Sequence, residues 1–278
     1  AIKPLISVDS TYDGAYVFLL IIFYSIQIYA DFTGGIDITI GIAETLGMRL
    51  AENFNRPFSS RSTKEYWNRW HITMGSWFTD YIFMPLSLSP TLLKLSKRVR
   101  ENGSRVSVAI GKRIPVYTAT VVTWFLTGLW HGAAWNFIVW GLYFAVLLML
   151  EKLWLKKYLD KSKILRHIYV MLLVIISFVI FNATDMGEAV SYIASMFGFG
   201  NVPVFSAEWL YYLRSYAVVI ILAIIGATPL PKRLVAKLSE KNEKLFNIIE
   251  PVVLIGMMLV VTAYLVDGSF EAFLYFRF

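Results

Sequence analysis

Cysteine is absent from all 278 residues, so disulfides, thiolate nucleophiles and cysteine-held metal play no part in this chain's chemistry. Histidine is scarce, with His71, His131 and His167 only. Charge is sparse as well: 16% of residues are charged, against 57% hydrophobic and 16% aromatic, and the mean hydropathy is +0.59. That excess of apolar side chains is beyond what a soluble fold of this length carries and identifies a polytopic membrane protein. Missing, too, are a GxxxxGK loop, a glycine-rich dinucleotide fingerprint and an HExxH pair, which leaves nucleotide hydrolysis, hydride transfer and zinc proteolysis without support. No metal site is expected. Low-complexity tracts and solenoid-length repeats are absent, so residues 1–278 read as a single integral domain. Ala1 is not an initiator methionine and no basic-then-apolar leader follows it, so the chain is expected to be a piece of something longer.

What is present is hydrophobic length. Apolar runs near residues 15–30, 115–130, 133–150, 166–183, 209–228 and 246–266 are long enough to cross or enter a hydrocarbon layer of about 30 Å. The expected fold is all-α: a polytopic transmembrane helical protein with interfacial or re-entrant helices around a central cavity. Basic residues gather between the runs, in Lys94–Arg113, Lys152–Arg166 and Lys232–Lys244, whereas residues 185–208 hold no lysine or arginine. The positive-inside rule places the three basic regions in the cytoplasm of a multi-pass cell (inner) membrane protein. The net charge of +7 therefore reports topology and calls for no nucleic-acid partner.

Both regions flanking the runs at 115–130 and 133–150 are then cytoplasmic, so the chain enters and returns, with the turn at TGLWHGAAW, Thr127 to Trp135. His131 stands at that turn, and a proton-exchanging ring at membrane depth is a candidate functional group. Trp124, Trp130, Trp135 and Trp140 read as packing or interfacial residues. His71 lies in EYWNRWHITMGSWFTDY, Glu65 to Tyr81. Plotted as one helix, Tyr66, Trp67, Trp70, Met74, Trp77, Phe78 and Tyr81 fill an apolar arc. His71 falls roughly 20° beyond it, at the border of a polar face with Glu65, Asn68, Arg69, Ser76 and Asp80. His167 closes a lysine-rich stretch at a helix start and reads as a solvated cytoplasmic residue. In the preceding stretch, Gly34 and Gly35 are expected to break the helix, leaving Asp31 either as a cap or as an orienting group on a cavity wall. Asn53, Asn55, Arg56 and Arg61 are read as phosphate or lipid-headgroup contacts at the cytoplasmic face.

The blocks YADFTGGIDITIG, ENFNRPFSSRSTKEYWNRWHITMGSWFTDYIFMP and GLWHGAAWNFIVWG resemble the membrane-bound O-acyltransferase family. The likeness is to its bacterial branch, which includes alginate O-acetylation and teichoic-acid D-alanyl transfer proteins. The stretch ATDMGEAVSYIASMFG and the ending FLYFRF fit the alginate type better. Thr79 stands where the family usually has arginine, Ser87 and Leu88 replace a usual glycine pair, and Asn182 replaces a usual arginine. The resemblance implies that the chain is the C-terminal part of a longer membrane domain. It also implies that His131 is the catalytic histidine, with His71 as the second motif histidine serving orientation, proton relay or thioester contact. Asp31, Asn68, Arg69, Trp130 and Asp80 are the remaining candidates for lining the cavity.

The implied reaction is transfer of an acyl group, acetyl above others, from acetyl-CoA or an acyl-carrier thioester to an exported polysaccharide or an extracytoplasmic acetyltransferase partner. Neither donor is a permanently bound cofactor. Implied partners are the lipid bilayer, the polysaccharide, that acetyltransferase and an acyl carrier protein. Transfer of D-alanine or another acyl group to teichoic acid or lipid is the alternative within the family. A transporter or a structural subunit of an export complex is the alternative outside it.

Overall fold

A computed structural model describes residues 14–199, 203–205 and 207–266, all of whose regular structure is helical. The FLYFRF ending lies outside the described residues. The chain begins with α1 (Gly14–Thr45) and, after an extended stretch, forms the short helices α2 (Thr63–Trp67), α3 (Ile72–Phe78) and α4 (Met84–Ser87), the last two joined by a π-helical turn at Thr79–Phe83. Next come α5 (Pro90–Glu101), α6 (Arg105–His131) and α7 (Trp135–Leu150), which continues through a second π turn, Glu151–Leu155, into α8 (Lys156–Leu159). The remainder is α9 (Lys163–Asn182), α10 (Met186–Met196), α11 (Ala207–Ser215), α12 (Ala217–Gly226), α13 (Leu230–Lys241) and α14 (Glu243–Val266).

Among the described residues, four helical stretches have the length and apolar character to cross a membrane: Gly14–Thr45, Trp135–Leu159, Lys163–Asn182 and Glu243–Ala263. A fifth is possible if α11 and α12, bent by 65°, count as one span. The run at 115–130 is not among them. It forms the inner part of α6, where Thr118, Thr120, Thr123, Thr127 and the terminal His131 dilute an otherwise apolar sequence.

Helix starts follow local chemistry. Ser62, Ser104, Ser162 and Asp185 each accept a hydrogen bond from the backbone N–H three residues on, at 3.0, 3.0, 3.3 and 2.9 Å, satisfying donors that a helix start leaves open. Inside, α1, α9 and α10 pack together through Val17, Ile21, Val170, Val174, Phe178 and Met196, and Phe54, Tyr66 and Trp70 from the α2 region insert among them. A second cluster joins α7 to the end of α9 through Trp140, Phe144, Leu147, Ile180 and Phe181. Toward the end of the chain burial stops: the apolar window of α14 is 0% buried, and Leu254 and Leu259 are 57% and 63% exposed. Hydrocarbon accommodates such a surface and water does not.

Three expectations are corrected here. The Gly34–Gly35 pair does not break α1, and Asp31 lies in the middle of that helix rather than at a helix start. Two interior glycines cost about 1 kcal/mol each. Opposing that cost, Phe32 packs edge-on against Phe54 and His71 at 4.9 and 4.7 Å. Residues 65–81 are not one amphipathic helix, because the chain turns through a left-handed conformation at His71 (φ 48°, ψ 53°) between α2 and α3. Backbone bonds from Asn55 N to Arg69 O (2.8 Å) and Ile72 N to Asn53 O (2.9 Å) draw this segment toward the preceding stretch, so Trp77 and Tyr81 end exposed rather than on a common buried face. The basic region Lys94–Arg113 spans α5 and the start of α6.

Candidate active site

His131 is the last residue of α6, and Gly132–Ala134 turn the chain into α7. The two helices cross at glycines. A Cβ on Gly141 would lie 2.2 Å from the Trp124 carbonyl oxygen and one on Gly128 2.4 Å from the Phe137 carbonyl oxygen, so backbone meets backbone there. The His131 ring is held edge-on by Trp140 (4.9 Å between centroids) and Phe181 (5.1 Å). Phe181 is placed by Asn136, whose buried amide donates to the carbonyls of Phe181 (3.3 Å) and Ala183 (3.0 Å), tying the start of α7 to the end of α9.

His71 reaches the same place from a different part of the chain. Its ring meets Phe32 edge-on and lies nearly parallel to Phe54, 27° apart with centroids at 6.3 Å. Burial lowers the His71 imidazole to about 4, so the ring is neutral at neutral pH. Between the histidines stands Trp130, with centroids 6.2 Å from His71 and 4.9 Å from His131, itself 54% exposed. Two neutralisable imidazoles bordering one accessible indole can bind and move a proton beside a substrate, which an apolar helix bundle otherwise cannot do.

The other candidates divide. Arg69 spends its guanidinium on Glu65 (2.8 Å), the Ser59 hydroxyl (3.0 Å) and the Asn55 carbonyl (3.3 Å), clamping the loop ahead of α2. Asn68 and Asp80 are exposed and share no ring contact or hydrogen bond with either histidine among the described residues. Asp31 lies half-buried on α1, one residue before the Phe32 that touches His71. His167, in the first turns of α9, is exposed and lies 3.2 Å from the Ser60 carbonyl. Asn53 is not a headgroup contact as expected: it is 4% exposed and bonded to His71 and Thr73, because the extended stretch folds inward under α3. Among the described residues no three His, Asp or Glu side chains come together as a metal site would require.

Sequence reasoning missed Glu151. This carboxylate, 6% exposed at the end of α7, accepts from both the Thr63 amide (2.8 Å) and the Thr63 hydroxyl (2.5 Å), pinning the start of α2 to the hairpin that carries His131. The available signal was an acidic residue ending an apolar run without a nearby basic partner in helical register. Glu151→Ala leaves two buried donors without an acceptor and is expected to lower stability by about 1–3 kcal/mol, read as a drop in Tm. An unchanged Tm would show that water replaces the carboxylate there.

No family model matches the chain. Curated relatives do. Over 179 residues it is 35% identical to the probable alginate O-acetylase AlgI of Azotobacter vinelandii, covering 64% of this chain and 32% of the relative. The peptidoglycan O-acetyltransferase of Helicobacter pylori is 30% identical over 183 residues (64% and 31%), and the teichoic acid D-alanyltransferase of Bacillus subtilis is 37% identical over 140 residues (49% and 32%). The chain thus spans about a third of the length of the curated relatives it matches. The resemblance to the alginate O-acetylation and teichoic-acid D-alanyl transfer branch of the membrane-bound O-acyltransferases is borne out.

Proposed function

We propose that this chain is the histidine-bearing part of a membrane O-acyltransferase that moves an acetyl group from a cytoplasmic thioester to a hydroxyl of an exported polysaccharide or of an extracytoplasmic partner protein. The observation that carries the proposal is the meeting of His71 and His131 at Trp130, two motif histidines brought from separate helical segments to one accessible spot. Acyl transfer to a hydroxyl requires a base for the hydroxyl proton, and His131 takes that role. Its aromatic surround of Trp140 and Phe181 shields the ring from bulk water, which favours the uncharged form that a base needs. Acetyl-CoA or an acyl-carrier thioester serves as donor. The names of three relatives, two acetyl transferases and one D-alanyl transferase, support acyl transfer as the common chemistry.

Membrane vesicles holding the full-length protein, given labelled acetyl-CoA or acetylated carrier protein with purified polysaccharide, should form base-labile acetyl esters on the polysaccharide. Labelled D-alanyl carrier with teichoic acid is the parallel arm, and product only there would assign the chain to D-alanyl transfer.

The same reading puts the basic regions Lys94–Arg113, Lys152–Arg166 and Lys232–Lys244 on the cytoplasmic side of the cell (inner) membrane. Cysteines introduced at Lys97, Lys157 and Lys237 are expected to react with an impermeant maleimide only after the inner face is opened, whereas one at Glu188 reacts from outside. Labelling of position 157 from outside would overturn the two-helix excursion that carries His131.

A further inference from the structure

We infer that Asn53 is a positioning residue that fixes His71 as the tautomer protonated on Nε2, making His71 a hydrogen-bond donor to the reacting carbonyl while His131 acts as the base; this division of labour rests on the acyl-transfer reading. Asn53 has one orientation of its amide. The Thr73 backbone N–H, which can only donate, lies 3.0 Å from Oδ1, and the Thr73 hydroxyl donates to the same atom at 2.9 Å, so that atom is the carbonyl oxygen. The amide nitrogen Nδ2 is thereby the atom that faces His71 Nδ1, at 3.2 Å. Oδ1 also lies 3.3 Å from Nδ1, but its two lone pairs are engaged by Thr73, whereas Nδ2 brings hydrogens that need an acceptor. Nδ1 therefore accepts, and a neutral imidazole that accepts at Nδ1 carries its proton on Nε2.

The arrangement is held from several sides. Asn53 is 4% exposed, its carbonyl accepts from Ile72 N at 2.9 Å, and His71 keeps a left-handed backbone conformation that a non-glycine residue adopts only when its surroundings impose it. Phe32 and Phe54 fix the plane of the ring. His71 Nε2 has no acceptor among the described residues, and the ring borders Trp130, which His131 also borders. A thioester carbonyl placed there would meet one donor and one base. When the acceptor hydroxyl oxygen bonds to the carbonyl carbon, its proton passes to His131 and the carbonyl oxygen becomes an oxyanion that accepts from His71 Nε2–H. Collapse re-forms the carbonyl, breaks the carbon–sulfur bond and returns the proton from His131 to the departing thiolate. Ester and thiol leave, and both histidines end as they began.

The test is nitrogen NMR of the full-length protein in lipid nanodiscs with ¹⁵N-labelled histidine, the His71 signals being identified by their loss in His71→Gln. The expected wild-type spectrum shows His71 Nδ1 bare and Nε2 protonated; the reverse overturns the proposal without need of any variant and irrespective of activity. Asn53→Asp keeps an oxygen for Thr73 but offers His71 only acceptors, so Nδ1 is expected to become protonated, with kcat down about 10²-fold or more, the loss typical when one oxyanion donor is removed, and KM little changed. A protonated Nδ1 together with a bare Nε2 and wild-type kcat overturns the donor role; if the new carboxylate instead makes His71 an imidazolium, Nε2 keeps its proton and kcat is expected to be retained. His71→Gln, whose amide can still donate, is expected to retain more kcat than His71→Ala, and equal loss in both also counts against a donor. Wild-type protein that transfers no acyl group to any acceptor would sink the proposed function, while the tautomer is decided by the spectrum alone.

Discussion

Well-folded His131→Ala and His131→Gln proteins are both expected to lose at least about 10²-fold in acyl transfer, because neither side chain is basic at neutral pH and general-base help is typically worth 10²–10⁴. Alanine also removes the ring that packs on Trp130, Trp140 and Phe181, whereas glutamine retains bulk and polarity, so equal loss in the two separates lost basicity from lost packing. The measurement is acetyl incorporation into purified acceptor by full-length protein in lipid, with expression and Tm recorded for each variant so that a folding defect is not read as lost chemistry. Turnover close to wild type in a well-folded His131→Ala protein would end the base proposal. Acyl transfer by such a variant would mean that a group other than His131 takes the acceptor proton.

Gly141→Val should damage the protein from a site that touches no substrate. The added Cβ would sit 2.2 Å from the Trp124 carbonyl oxygen and 3.1 Å from the Gly128 nitrogen, and backbone atoms in the last turns of α6 cannot swing aside as a side chain would. Separation of α6 from α7 is the way out, and overpacking of this kind costs about 1–3 kcal/mol. Because Trp140, one residue away, braces His131, the separation also loosens the candidate base, and activity is expected to fall further than the loss of folded protein explains. Gly75→Ala is the comparison: its Cβ would be 3.8 Å from the Trp67 carbonyl oxygen, an ordinary contact, so Tm is expected to hold or rise slightly with the better helix propensity of alanine. A Gly141→Val protein with wild-type Tm and activity would mean that the close crossing is dispensable.

The corrected elements locate where sequence reasoning loses its grip. Helical-wheel arithmetic treats residues 65–81 as one rod, and its error comes from two backbone hydrogen bonds made to residues 53 and 55, more than a dozen positions upstream. Expecting Gly34–Gly35 to end a helix weighs local propensity alone, whereas the packing of Phe32 on His71 and Phe54 opposes it. Arg69 shows the same limit from the polar side. A cation on the border of an aromatic segment suggests a substrate contact, yet Glu65 and the 55–59 loop already occupy it.

Composition and periodicity by themselves determined that this is an all-helical membrane chain, and the motif blocks singled out His131 and His71 together with the acyltransferase resemblance. Those features are set by the solvent that each residue type tolerates and by the order of residues along the chain, both of which a sequence states directly. Only the tertiary structure decided that the two histidines share Trp130, that Glu151 ties α7 to α2 through Thr63, and that Asn53 turns inward to present its amide to His71. Each of these is a pairing between groups distant in sequence, 88 positions apart for Thr63 and Glu151 and 18 for Asn53 and His71. Such pairings arise because a buried polar group must find a partner wherever the packed helices bring one within reach, and no local pattern records which one that is.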